Sequence, residues 1–145
     1  MTFNGISTVT TPDVEATNGI VHIIDEVIAL PTVVTFATAD PTFDTLEAAL
    51  TRSDLTFDYV ATLSTANGTG LAPFTLFAPT NDAFGDLLTE LNVAALADID
   101  EPTLKATLDH HAVAGANVLS TALMDNMTVT TLGGDITANL PEELR

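Results

Sequence analysis

Three histidines and a surplus of carboxylates are the side chains here with the chemistry to do work. His110 and His111 stand side by side, His22 lies far upstream, and 20 Asp+Glu face only 3 Lys+Arg in 145 residues with no cysteine. A histidine beside a carboxylate is the usual currency of general acid–base catalysis, and His111 with nearby acids is the one arrangement that fits it. Two adjacent helical histidines point about 100° apart and do not share one ion, so His110, His111 and His22 make a poor zinc set. Asp98-Ile99-Asp100-Glu101 gathers three acids in four positions. It lacks the glycine and distal glutamate of an EF-hand loop, so helix capping is its simplest role and weak calcium contact its most ambitious one. No Gly-x-Ser-x-Gly elbow, His-Glu-x-x-His helix, phosphate loop or cysteine nucleophile is present, and the expectation is a non-enzyme.

His111 follows Leu104 and Leu108 at helical spacing, which puts it on an apolar face as a buried, hydrogen-bonded core residue. His22 alternates with Ile20 and Ile24 and is expected to be buried or half-buried in a strand. Asn81 and Asp82 read as N-cap residues, and Asp25 as a hydrogen-bond acceptor at a strand end.

The elements that must position these groups follow from the patterning. Ser7 to Thr11 is a strand stopped by Pro12, Asn18-Gly19 a turn, and Ile20 to Ile28 a β-branched strand. Asp40 caps a helix with Pro41 at its first position and Phe43, Leu46 and Leu50 on one face. A short helix holds Tyr59, Val60 and Leu63, and Phe74 to Ala78 is a buried strand ended by Pro79. A helix carrying Phe84, Leu87, Leu88 and Leu91 follows, then one opened by Asp100, then a hairpin of Met127–Leu132 and Asp135–Leu140 about Gly133-Gly134. Strands at both ends and helices between them give an α+β class.

Composition bounds the rest. A hydrophobic fraction of 46% and a mean hydropathy of +0.35 are too apolar for a disordered acidic tail, and 145 residues make one domain. A net charge of −17 excludes nucleic acid and anionic lipid as electrostatic partners. No apolar run approaches the roughly 20 residues of a membrane span, and Met1-Thr2-Phe3-Asn4 has no signal-peptide character, so an exported chain would be an excised piece. The acidic surface points to a saline habitat. Asn67-Gly68-Thr69 and Asn126-Met127-Thr128 are glycosylation sequons that matter only in a eukaryote.

Thr75-Leu76-Phe77-Ala78-Pro79-Thr80-Asn81-Asp82-Ala83-Phe84 closely resembles the first signature of the fasciclin domain, an extracellular adhesion module. Asn18-Gly19-Ile20-Val21-His22-Ile23-Ile24-Asp25 resembles its Asn-Gly-x-x-His-x-x-Asp signature, and Leu108 to Gly115 its central Tyr-His segment. The resemblance implies a β-sheet wedge packed with helices, in which Thr75, Phe77, Pro79, Thr80, Asn81, Asp82, Phe84, Asn18, Gly19, His22, Asp25, His111 and Gly115 are fold-forming. It implies adhesion to cell-surface or matrix proteins or glycans, without catalysis, cofactor or membrane insertion. His110 stands where the family usually has tyrosine, so the integrin binding linked to that region does not carry over.

The order of the signatures is shifted. The Asn-Gly-x-x-His strand closes a fasciclin domain, yet here it precedes the segment that opens one. Residues 1–31 therefore resemble the end of one repeat and 32–140 the beginning of the next. The expected result is a single, permuted, self-complete monomer, with a strand-swapped dimer as the alternative. Small-ligand binding or catalysis at His111, and a passive spacer in a tandem array, are the rival functions.

Overall fold

The computed structural model describes residues 1–140. Its chain order is β1 (Thr2–Phe3), β2 (Ser7–Ala16), β3 (Gly19–Ile24), α1 (Val33–Ala39), α2 (Asp44–Leu50), α3 (Tyr59–Leu63), β4 (Phe74–Leu76), α4 (Asn81–Leu91), α5 (Glu101–His111), β5 (Ala112–Ala114), β6 (Met127–Thr131) and β7 (Gly134–Ala138). Single turns of tighter helix lie at Pro41–Phe43, Leu96–Asp98 and Ser120–Ala122. Three antiparallel sheets result, β1-β2-β3, β4-β5 and β6-β7. The mixture is α+β.

The chain divides into an arm, residues 1–31, and a body. The core of Val34, Ala37, Leu46, Ala49, Leu50, Tyr59, Leu63, Phe84, Ile99, Leu104, Leu108 and Ala112 comes from the body alone. In α5, Leu104 and Leu108 fall one turn apart and are both buried, while Asp100 accepts from the Thr103 amide at 3.2 Å and starts the helix. In α4 only Phe84 is buried. Leu87 and Leu88 are half-buried and Leu91 is exposed.

Several expectations give way to local chemistry. Pro12 does not stop the first strand. β2 passes through it by register shifts on either side of Thr11, with Asp13 at φ +54°. A residue without an amide proton fits such a bulge, because no ladder bond is lost. The turn is Thr17-Asn18, one residue earlier than read, since Ala16 pairs with Gly19. β3 ends at Ile24, where the Asp25 carboxylate takes the Thr8 amide at 2.6 Å. Helix α1 went unread. Its start is a reciprocal pair in which Thr32 Oγ1 accepts from the Thr35 amide at 3.3 Å and Thr35 Oγ1 from the Thr32 amide at 3.1 Å. The strand Phe74–Ala78, expected to be buried, is half-buried throughout and only three residues of it pair.

The arm does not complete the body's sheet. β3 hydrogen-bonds β2 alone, and among the described residues neither pairs with β4 to β7. A hairpin joined by a two-residue turn satisfies its own backbone locally, without the loop closure that joining the body would cost. The arm meets the body at its root. There Ser7 is buried and Gly5, at φ +70°, sits so close to Ala39 that any side chain would run into that residue's Cβ, while Asn4 Nδ2 closes the arm on itself by donating to the Ala29 carbonyl at 3.4 Å.

Candidate interaction site

The corner between β4 and α4 holds the first signature, Thr75 to Phe84, with Gly115 beside it, whereas Asn18, Gly19, His22 and Asp25 lie in the arm. Thr75 Oγ1 donates to the Ala116 carbonyl at 3.0 Å and accepts from the Val118 amide at 2.8 Å, which ties the loop after β5 to β4. The Phe77 amide donates to the His111 carbonyl at 2.9 Å. Gly115, at φ +76°, directs its amide to the carbonyls of both Leu71 and Pro73 at 2.8 Å, a backbone geometry that disfavours a side chain.

Thr80, not Asn81, caps α4, accepting from the Ala83 amide at 3.3 Å. Asn81 already has helical backbone and reaches sideways. Its Oδ1 accepts from the Thr45 amide at 2.9 Å and its Nδ2 donates to the Pro41 carbonyl at 2.8 Å, bolting α4 to the start of α2. Asp82 lies exposed in the first turn of α4, where its charge complements the helix dipole.

His111 is not a buried core residue. It ends α5 half-exposed, with Nδ1 2.8 Å from the Thr107 carbonyl. A carbonyl only accepts, so Nδ1 carries the proton and Nε2 is the ring nitrogen open to a ligand. The ring borders a groove of about 260 Å³ walled by Pro79, Phe84 and Leu87, with Asp86 and Glu90 at its side. His111 shares the face of Leu104 and Leu108, but at the last turn of α5 that face meets the groove and not the core. His22 is exposed on the arm's hairpin, which no second layer covers. Its Nδ1 accepts from the Asp13 amide at 3.2 Å and lies 3.9 Å from the Asp13 carboxylate. His110 is exposed, bonded to the Ala106 carbonyl, and covers the Gly133 turn.

The Asp98–Glu101 acids are separated by their partners. Asp98 accepts from the Ala95 amide at 2.9 Å, Asp100 caps α5, and Glu101 Oε1 accepts from the amide and hydroxyl of Thr56 at 3.1 and 2.8 Å. Arg52 grips Asp54 at 2.6 and 2.8 Å while donating to the Leu96 and Ile99 carbonyls at 3.0 and 2.7 Å. The Thr103 hydrogen bonds hold the Asp100 carboxyl below its ordinary range, and the Arg52 hydrogen bonds do the same for Asp54. Among the described residues no group of three His, Cys, Asp or Glu is gathered for a metal ion.

One polar cluster escaped the sequence reading. Buried Tyr59 donates to Asp109 Oδ1 at 2.6 Å, and Lys105 Nζ donates to Asp109 Oδ2 at 2.6 Å while lying 5.5 Å from the Phe57 ring. Burial, then the Asp109 hydrogen bond, pushes the Tyr59 hydroxyl well above the usual tyrosine range. Lys105 and Asp109 stand at i,i+4 on α5, which was the available signal.

The arm presents apolar side chains to solvent. Ile20 is 61% exposed, Val21 53% and Ile23 48%, with Val27, Ile28 and Leu30 exposed beyond them. At its base lies a groove of about 570 Å³ whose walls include Leu30, Val33, Leu63, Pro73 and Phe74. No helix among the described residues is long and apolar enough to cross a membrane.

The family model for the fasciclin domain matches residues 1–31 and 41–141. The chain is 34% identical over 140 residues to transforming growth factor-beta-induced protein ig-h3 of Oryctolagus cuniculus, covering 89% of this chain and 19% of that protein. It is 33% identical over 138 residues to the Sus scrofa protein of the same name, covering 90% of this chain and 18% of that one. Protein sll1483 of Synechocystis sp. is 36% identical over 104 residues, with shares of 72% and 52%. The chain thus spans about a fifth of the two mammalian relatives' length and about half of the third's. An 89% share is more than residues 32–145 alone can supply, so that alignment runs from arm into body in the order found here. On these matches the chain belongs to the fasciclin-domain family.

Proposed function

We propose that this chain is a non-catalytic adhesion module that works outside the cell, contacting cell-surface or matrix proteins or glycans. The supporting observation is how its chemistry-bearing side chains are used. Thr75, Thr80, Asn81, Asp98, Asp100, Glu101, Arg52 and Tyr59 are all engaged in bonds that hold the fold, while the arm exposes the apolar side chains of Ile20, Val21 and Ile23 to a macromolecule. The acidic surface keeps such a module soluble until a specific contact forms. Binding of the purified chain to arrays of glycans and matrix proteins and to whole cells, with and without calcium, tests the reading. Saturable binding to one class supports it, and uniform failure leaves a passive spacer.

The groove beside His111 favours a second reading, small-ligand binding or catalysis with Asp86 and Glu90 as the neighbouring acids. His111→Ala separates the two. A folded variant with unaltered adhesion and a lost small-molecule activity would transfer the function to the groove.

A further inference from the structure

We propose that Asn67 is a site of spontaneous covalent modification, its side-chain amide converting to isoaspartate by attack of the Gly68 backbone nitrogen, while the chain's other Asn-Gly pairs are held back by their surroundings. The pairs are Asn4-Gly5, Asn18-Gly19 and Asn67-Gly68. Glycine favours this attack because it puts no side chain beside the attacking nitrogen.

The reaction needs only the chain and water. The Gly68 nitrogen bonds to the side-chain carbonyl carbon of Asn67, and that carbon's bond to the amide nitrogen breaks. A proton passes through solvent from the attacking nitrogen to the departing one, which leaves as ammonia. The cyclic imide so formed takes up one water. Opening at the main-chain carbonyl gives isoaspartate, and opening at the side-chain carbonyl gives aspartate.

The three sites differ in how freely the peptide between the two residues can rotate to bring nitrogen and carbon together. In the loop after α3, the Ala66 carbonyl accepts from the Thr69 amide at 3.1 Å and from the Thr69 hydroxyl at 2.6 Å. Those bonds fasten the ends of a turn and leave its middle peptide, between Asn67 and Gly68, untied. Gly68, at φ +83°, takes the turn position that favours glycine. Both residues are exposed, and a Cβ placed on Gly68 would meet nothing within 4 Å. Among the described residues neither the Asn67 side chain nor the Gly68 N–H has a hydrogen-bond partner.

The other pairs are restrained. Asn4 Nδ2, the group that would leave, donates to the Ala29 carbonyl at 3.4 Å, and Gly5 is packed against Ala39. Gly19 stands in the ladder opposite Ala16 across a two-residue turn, so rotating the Asn18-Gly19 peptide opens the end of the hairpin. Giving up about one hydrogen bond on the way to the transition state slows each of them by roughly tenfold. Conversion at Asn67 adds a negative charge and lengthens the main chain in the wall of the 570 Å³ groove, beside Pro73 and Phe74. The modification thus alters that apolar surface as the molecule ages, and it is independent of the adhesion reading.

The test uses the full chain produced in bacteria, so that the Asn67-Gly68-Thr69 sequon carries no glycan, incubated at physiological temperature and mildly alkaline pH. Trypsin cuts after Arg52 and Lys105 and so separates Asn67 from Asn4 and Asn18. Mass spectrometry then reads the change from amide to acid at each asparagine, and an isoaspartyl methyltransferase reports the isomer. Asn67 should convert roughly tenfold faster than either other site, and more slowly as pH falls, because the attack is base-catalysed. In urea, where the turn, the root and the hairpin are all lost, the three rates should converge. Asn67→Gln, whose imide needs a larger and less favourable ring, should remove the isoaspartate of peptide 53–105 and leave the other peptides unchanged. Conversion of Asn67 no faster than that of Asn4 or Asn18, a ranking that persists in urea, or isoaspartate in that peptide after Asn67→Gln would overturn the proposal.

Discussion

The arm and the body are built from similarly apolar residues and put them to opposite use. In the body, Leu104 and Leu46 are fully buried, whereas in the arm Ile20 is 61% and Val27 87% exposed. What separates them is the partner within reach. The body's helices fold apolar stripes onto one another over short distances, but the arm's hairpin satisfies its backbone alone and leaves its side chains without a second layer. A local sheet can be complete in hydrogen bonds and still be unfinished as a packed structure.

The comparison breaks most easily by truncation. Leu104→Ala removes a fully buried side chain from α5 and should cost about 2–5 kcal/mol in urea denaturation. Ile20→Ala, measured where the chain is dilute, should stay within about 0.5 kcal/mol. Equal losses at the two positions would mean that the arm packs on its own body.

Tyr59→Phe probes the cluster that joins α3 to α5, with a cost of about 1–3 kcal/mol, since Asp109 loses a donor in a mostly buried place. The pH dependence follows. Folding raises the Tyr59 pKa, so the stabilisation is complete below the ordinary tyrosine value near 10 and declines as pH climbs beyond it, because the unfolded chain ionises first. As the only tyrosine, Tyr59 alone supplies the tyrosinate band, which should emerge together with unfolding and not before it.

Asn81→Ala cuts two bonds from α4 to the start of α2 and should cost about 1–3 kcal/mol, whereas the same change at Asn18, in the hairpin turn, should cost less than 1. This asparagine shows how far the sequence could be read. Thr80, Asn81 and Asp82 announce a helix start, and α4 begins there, because capping is local chemistry. Which of them caps, and that Asn81 instead crosses to residues 36 and 40 positions away, depends on tertiary placement. The same boundary runs through the rest. Asp100, Leu104 and Leu108 were legible from spacing. His111 obeyed that spacing but left the core because the helix ends in a groove, and His22 kept its alternation in a strand with nothing to face. Alternation says which side chains share a side, not whether anything covers it. Helix α1 hid because Val33, Val34 and Thr35 favour strands, and the helix is held by the pairing of Thr32 with Thr35 and by the burial of Val34 and Ala37 in the core.

Salt gives the smallest effect and the one whose sign must be argued. Raising ionic strength from 0.01 to 0.15 M shortens the screening length from about 30 to about 8 Å. That relieves repulsion among 17 excess charges spread over a surface where their mean spacing is about 20 Å. The same salt weakens attraction, but among the described residues only Arg52 and Lys105 are basic. Both sit in short bonds to Asp54 and Asp109, at distances far inside either screening length, where little is lost. Relief therefore wins, and the melting temperature should rise by a few degrees, given about 2–4 °C per kcal/mol at this size. The arm, which holds four acids and neither Lys nor Arg, makes a sharper readout than the body. Its amides should exchange quickly in dilute buffer and in saline alike, because β3 pairs with β2 alone and no second layer covers the hairpin, whereas amides of α5 should slow in step with global stability. Arm protection that never departs from that global trend would erase the difference between the two regions.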